Sequence, residues 1–260
     1  HRRMLGVLAV AREPLSLEQI QRLGSITADW VYVTGAAESF TPFLDVTSDR
    51  YRFYHATLPE FLTDSQTKQN HKTKDLYINV TDWHKKIVTR YSGGADTWQA
   101  SVWETIDDYG RRNLPYHAAR AGLLDDLLGQ PGIWLYCEPA AVRDVLEGEQ
   151  TPSRNAQETT SIFNLAYPDL LDEEPIVRAA LLHFNALKQG ASSVTALFKP
   201  LLAISPWRAL WSCSEFSVVP YRQHKIAGSL RAQAAAVVNG RLSIVILEEA
   251  KDQSLYLLSV

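Results

Sequence analysis

The chain has 260 residues, 46% of them apolar and 21% charged, the balance of a soluble globular protein larger than one typical domain. Its formal net charge of −3 argues against a general nucleic-acid or anionic-membrane surface, since both need clustered positive charge. No apolar stretch reaches the length of a membrane span, and Cys137 and Cys213 lie far apart without CxxC spacing, so a reducing cytoplasm is the expected compartment.

Met4, Leu5, Val7, Leu8 and Ala11 fall on one face of a helix over about residues 3–12, a reading preferred here to a signal peptide because the apolar run is short. Beginning with His1 rather than methionine points to a processed product or a piece of a longer chain. Pro14 stops this helix, and a second follows at once, with Ser16 and Gln19 spaced as a capping box, Leu17, Ile20 and Leu23 on one face and Gly24 as its end. A third helix is predicted over 28–39, then a hairpin of strands 43–46 and 51–54 around Thr47-Ser48-Asp49-Arg50. Three helices followed by a two-stranded wing describe a winged helix over residues 1–65.

Residues 64–74 are polar and aperiodic, so a linker or exposed turn is expected. Leu76, Val80, Trp83, Ile87 and Tyr91 then recur at helical spacing from about Asp75, and Gly93-Gly94 ends that helix. A further helix carries Tyr109, Leu114, Tyr116 and Ala118 as far as Gly122, and Leu123, Leu124, Leu127 and Leu128 open the next. Residues 147–160 read as loose, and a helix is predicted over 174–189. Short helices punctuated by Gly or Pro make 66–190 a helical-hairpin array. Over 191–260 the grammar changes to short apolar runs at 216–219, 234–238, 242–247 and 255–260, separated by Asn239-Gly240 and Lys251-Asp252. These are antiparallel strands, either a small sheet on the helices or the first blade of a propeller. The fold class is therefore mainly α with a C-terminal β part.

For chemistry, the segment Tyr51-Arg52-Phe53-Tyr54-His55-Ala56-Thr57-Leu58-Pro59-Glu60-Phe61-Leu62 stands out. It reads as a strand ending at His55 and a helix capped by Thr57 and Glu60, which sets an imidazole beside free N–H groups where an anion can be met. The competing reading is a buried histidine packed on Phe61 and bonded to the wing. No Gly-Lys pair exists for a phosphate loop, and no GxSxG, HExxH or GxGxxG occurs, so catalysis within the chain is not expected. The seven histidines lack metal-ligand spacing; His84, His117 and His183 read as structural or surface residues, and pairing His117 with Cys137 as base and thiol has only residue type behind it. Asn79-Val80-Thr81 matches a glycosylation acceptor but sits within a helical pattern, and Asp125-Asp126 and Asp172-Glu173-Glu174 suit helix starts. The third helix carries only Asp29 and Glu38 as charges, which disfavours DNA reading despite Arg50 and Arg52 on the wing.

Three segments carry a resemblance: Leu5-Gly6-Val7-Leu8-Ala9-Val10-Ala11-Arg12-Glu13-Pro14-Leu15, the stretch Tyr51 to Leu62, and Asp108-Tyr109-Gly110-Arg111-Arg112-Asn113-Leu114-Pro115-Tyr116-His117-Ala118-Ala119. Together they resemble the region after the nucleotide-binding domain of signal-transduction ATPases with numerous domains, the STAND class that includes NACHT and apoptosome-type proteins. The resemblance implies that His55 contacts the β-phosphate of ADP held by an upstream ATPase domain. It further implies a non-catalytic regulatory and coupling segment, with ADP or ATP bound by the parent protein, a C-terminal sensor as partner and homo-oligomerisation on activation. The last strands are similar to a first WD-repeat blade, although Leu258-Ser259 stands where Trp-Asp is expected. A standalone helical protein-interaction scaffold is the alternative, and a winged-helix DNA-binding protein a more distant one.

Overall fold

The computed structural model describes residues 1–93, 98, 103–148, 154–204, 230–238, 241–248 and 255–259. It is mainly helical with a minor antiparallel β part, and it divides into two compact units, His1–Gln157 and Glu158–Val260.

In the first unit, α1 (Arg2–Val10) buries Met4, Val7 and Leu8 of the predicted face together with Val10, while Leu5 and Ala11 are only half-buried. It ends two residues earlier than expected, because Ala11 turns extended and releases Arg12 and Glu13 for partners elsewhere. Strand β1 (Leu15–Ser16) follows, a two-residue element that no alternation could signal. Helix α2 (Leu17–Leu23) starts with the predicted capping box: Gln19 N–H donates to Ser16 Oγ at 3.2 Å, and Ser16 N–H to Gln19 Oε1 at 3.0 Å. Ser16→Ala is expected to cost about 1 kcal/mol, read as a fall in the urea midpoint at constant m-value.

Helix α3 (Trp30–Phe40) begins two residues after the predicted start and buries only Val33 and Ala37. Strands β2 (Leu44–Thr47) and β3 (Arg50–Phe53) form the hairpin, in which Leu44 faces Phe53 and Thr47 faces Arg50. Ser48 and Asp49 both take positive φ, 51° and 58°, as a tight two-residue turn between twisted strands demands. Pairing of Leu15 with Tyr51 adds β1 to the far side of β3, making a sheet of order β1-β3-β2. Strand β3 thus ends before His55, which the sequence reading had placed on the strand's own face.

Helix α4 (Thr57–Thr63) comes next. The expected linker then holds α5 (Ser65–Gln69), started by the Asp64 carboxylate accepting from Gln66 N–H at 3.2 Å. The long helix α6 (Val80–Tyr91) starts later than Asp75: Lys74–Leu76 is a 3-10 turn, Leu76 is exposed, and Asn79 is the N-cap rather than a helix-interior residue. The buried stripe is consequently Ile78, Trp83, His84, Ile87, Val88 and Tyr91. Both α1 and α2 pack on α6, so the N-terminal helices and sheet share a core with the helices that follow.

Helix α7 (Asp108–Ala121) is capped by Asp107, which accepts from Gly110 N–H at 3.0 Å, and closed by Gly122 at φ 70°. Pro115 inside it has no N–H, which would leave the Arg111 carbonyl without its helical partner. Glu138 N–H donates to that carbonyl at 2.9 Å, tying the helix to the chain beyond it. Helices α8 (Leu124–Leu128), α9 (Pro131–Tyr136) and α10 (Pro139–Gly148) complete the unit, with proline at the first position of the last two.

Helix α11 runs Arg154–Leu170 across the division at Gln157 and therefore makes helix of residues read as loose, and the second unit goes on with α12 (Pro175–Gln189) and α13 (Ser192–Phe198). Gly190 closes α12 at φ 69°, where glycine carries no Cβ penalty. Strands β4 (Leu230–Val238), β5 (Arg241–Glu248) and β6 (Leu255–Ser259) pair antiparallel in chain order. They cover three of the four predicted C-terminal strands; the one at 216–219 lies outside the described residues.

Candidate functional site

His55 lies in the turn between β3 and α4, and its ring is exposed to solvent. The capping device differs from the predicted one. Thr57 is the first helical residue, and the imidazole takes the capping role: Thr57 N–H donates to His55 Nδ1 at 3.2 Å, with Thr57 Oγ1 3.0 Å from the same atom. Leu58 N–H bonds the His55 carbonyl at 3.3 Å, so backbone and ring together hold this residue at the helix start. A ring nitrogen that accepts from a backbone N–H carries no proton, which assigns the neutral ring's proton to Nε2. The site therefore presents a single oriented N–H donor to solvent. Exposure of both His55 and Phe61 rules out the buried packing between them.

Several large apolar residues of the hairpin and α4 are open to solvent. Tyr54 is 75% exposed, and Phe43, Val46 and Phe61 are also open. The two wing cations are engaged, Arg52 with Asp45 at 2.7 Å and Arg50 with the Pro14 carbonyl at 3.4 Å. On α3, Val31 and Tyr32 are 76% and 71% exposed and Trp30 is half-exposed, without a cation on the helix. A cleft of about 230 Å³ beside them is lined by His1, Met4, Ile26, Tyr32, Val33 and Ala36.

A second constellation, which residue types alone do not reveal, lies buried between α6 and α7. His84 Nδ1 and His117 Nδ1 are 2.7 Å apart, and His117 Nε2 is 2.7 Å from the Tyr109 hydroxyl. Both imidazoles are withdrawn from water. Burial, with the Arg120 charge added, lowers His84 to about 4; burial, His84 and Arg12 lower His117 to about 3. Both rings are thus neutral at pH 7. With both nitrogens of His117 engaged, the ring is no free base for the buried Cys137. The eight-residue spacing of Tyr109 and His117 puts them on one helix face and was legible; the 33-residue separation from His84 was not.

Two further polar joints tie residues 13–22 to the helices. Glu13 receives Arg112 at 2.8 Å and Asn113 at 2.7 Å, and although burial raises its pKa these bonds hold it below the ordinary value. Asp107 accepts from Gln19 at 2.8 Å, Arg22 at 2.7 Å and the Tyr91 hydroxyl at 2.7 Å, which likewise outweigh burial and keep it ionised.

Comparison with protein-family models, curated proteins and solved structures gives no significant match. Among the described residues, no group of three or more His, Cys, Asp or Glu is arranged to hold a metal ion. No helix among them is long and apolar enough to cross a membrane.

Proposed function

We propose that the chain is a non-catalytic regulatory and coupling segment of a nucleotide-switched signalling ATPase. In this reading residues 1–65 are a winged helix, and His55 contacts a phosphate of ADP held by a preceding ATPase domain. The following helices link that contact to a C-terminal sensor, of which β4 to β6 belong to a first propeller blade. The observation that carries the proposal is the His55 ring itself: exposed, locked by Thr57 N–H at Nδ1, and left with Nε2–H as an outward donor. A donor fixed in direction loses little freedom when it meets an anion. Sequence resemblance supplies the identity of the anion.

The test uses the chain joined to the ATPase domain that the proposal places ahead of it. His55→Ala is expected to speed ADP release roughly tenfold, the worth of one hydrogen bond to a charged group. His55→Gln, which can return an N–H near Nε2, should recover part of the hold. An unchanged release rate in His55→Ala removes the proposed role.

A second reading, a protein-interaction scaffold, is favoured by the uncharged exposed face of Trp30, Val31 and Tyr32 on α3. That same face disfavours duplex DNA, which requires cations and amides at such a helix.

A further inference from the structure

We infer that His84, His117 and Tyr109 form an acid-sensitive clasp at the joint between the N-terminal helix-and-sheet module and the helices that follow it. The joint consists of the chain leaving α1 laid against α7. Arg12 stacks over the Tyr116 ring at 4.5 Å, and Glu13 is gripped by Arg112 and Asn113. Beneath these contacts His84 on α6 meets His117 on α7.

The hydrogen-bond roles form a directed chain. The phenol is the more acidic partner and donates to His117 Nε2, so His117 carries its proton on Nδ1 and donates it to His84 Nδ1. One proton lies between the two Nδ1 atoms. A second proton on either ring turns an acceptor of this chain into a donor: at His84 two N–H groups then face each other across 2.7 Å, and at His117 the Nε2–H faces the phenol proton.

The described surroundings offer no relief. The charges that bear on the two rings are Arg120 on His84 and Arg12 on His117, both positive. The nearby carboxylates Glu13 and Asp107 act on Tyr109 instead, and each is already occupied by cations and amides. None of the charges on α1, α2, α8 or α10, which also pack against α6 or α7, acts on either ring. Among the described residues a protonated ring is therefore buried beside cations with no counterion, and the way to accommodate it is to part α6 from α7 and open the joint.

The direction of the pH dependence follows. An opened or unfolded chain binds protons on these rings below about pH 6.5, whereas the closed state excludes them until lower pH. The clasp is fully closed above that value and loses hold as pH falls towards the depressed values of the folded rings, about 4 and about 3. The proposal does not depend on His55 or on any nucleotide.

The experiment follows urea unfolding of the chain at pH 7 and pH 5. The unfolding constant is expected to rise by roughly tenfold or more per ring over this interval. His84→Asn places a polar atom near the Nδ1 position without an acid-titrating group, and should remove one ring's share of the pH dependence, roughly tenfold in the unfolding constant. A pH-independent midpoint in the parent chain, or an undiminished dependence in His84→Asn, overturns the clasp. Should that variant fail to fold, the ring carbon resonances of His84 and His117 in the parent chain decide. Neutral shifts retained until the folded spectrum is lost support the clasp, and titration near pH 6.5 in the folded state overturns it.

Discussion

Gly6→Ala is expected to destabilise the first unit by about 3 kcal/mol, the upper end of what overpacking a close-packed interior costs. A Cβ at this position would lie 2.0 Å from Trp83 Cε2 and 2.2 Å from Cζ2, well inside contact distance. Trp83 is buried on α6, and the Lys86 ammonium lies 4.3 Å above its ring, so the indole cannot tilt away without losing packing on both faces. The contact joins α1 to α6 and hence the two halves of the unit's core. Gly35→Ala is the control, since Gly35 is also helical but an added Cβ meets nothing within 4 Å. There the substitution should stabilise by up to about 1 kcal/mol through helix propensity. Urea midpoints shifting in opposite directions meet the expectation; equal behaviour of the two variants contradicts it.

Trp134→Ala should cost about 3–5 kcal/mol. The indole on α9 is fully buried, and its Nε1–H donates to the Leu128 carbonyl at 2.9 Å, closing α8 against α9. Removing the ring opens a cavity and also strands that carbonyl away from water, a further penalty of about 1–3 kcal/mol where no solvent enters. Trp134→Phe separates the two effects by keeping most of the ring and none of the donor, and its loss should be the smaller one. Chemical denaturation of both variants checks the order; a Trp134→Ala midpoint near that of the parent chain defeats the argument.

How much could be read from the residues alone varied with the distance over which each feature is made. The α2 capping box was legible because Ser16 and Gln19 are three residues apart and satisfy each other. The Ser48-Asp49 turn was legible for the same reason, since a two-residue connection dictates its own backbone angles. At α4 the same logic misassigned the cap. Thr57 and Glu60 have capping-box spacing, yet His55 two residues before Thr57 reaches its N–H first and moves the helix start by one residue. Helix α5 was missed because its polar face has no periodicity, and a single Asp64 carboxylate starts it.

For the candidate site, the identity and position of His55 came from sequence. Its exposure and the orientation of its donor came from the fold. Residue type could not separate a buried histidine packed on Phe61 from one presented to solvent, because both put the same residue at the same point of the chain. The buried His84–His117 pair shows the converse. Its members look ordinary on their own helices, and their chemistry arises only when α6 is laid on α7.

The sequence by itself determined the helical periodicity, the reciprocal cap of α2, the antiparallel strand pattern near the C-terminus and the candidate histidine. These depend on local backbone geometry and side-chain spacing. Tertiary structure alone decided that β1 exists, through its pairing with β3 some 35 residues later. It also decided that Glu138 satisfies the carbonyl freed by Pro115, and that two imidazoles meet out of reach of water. Each of those is a pairing of polar groups brought together by burial of apolar faces, and burial is a property of the packed chain rather than of any segment within it.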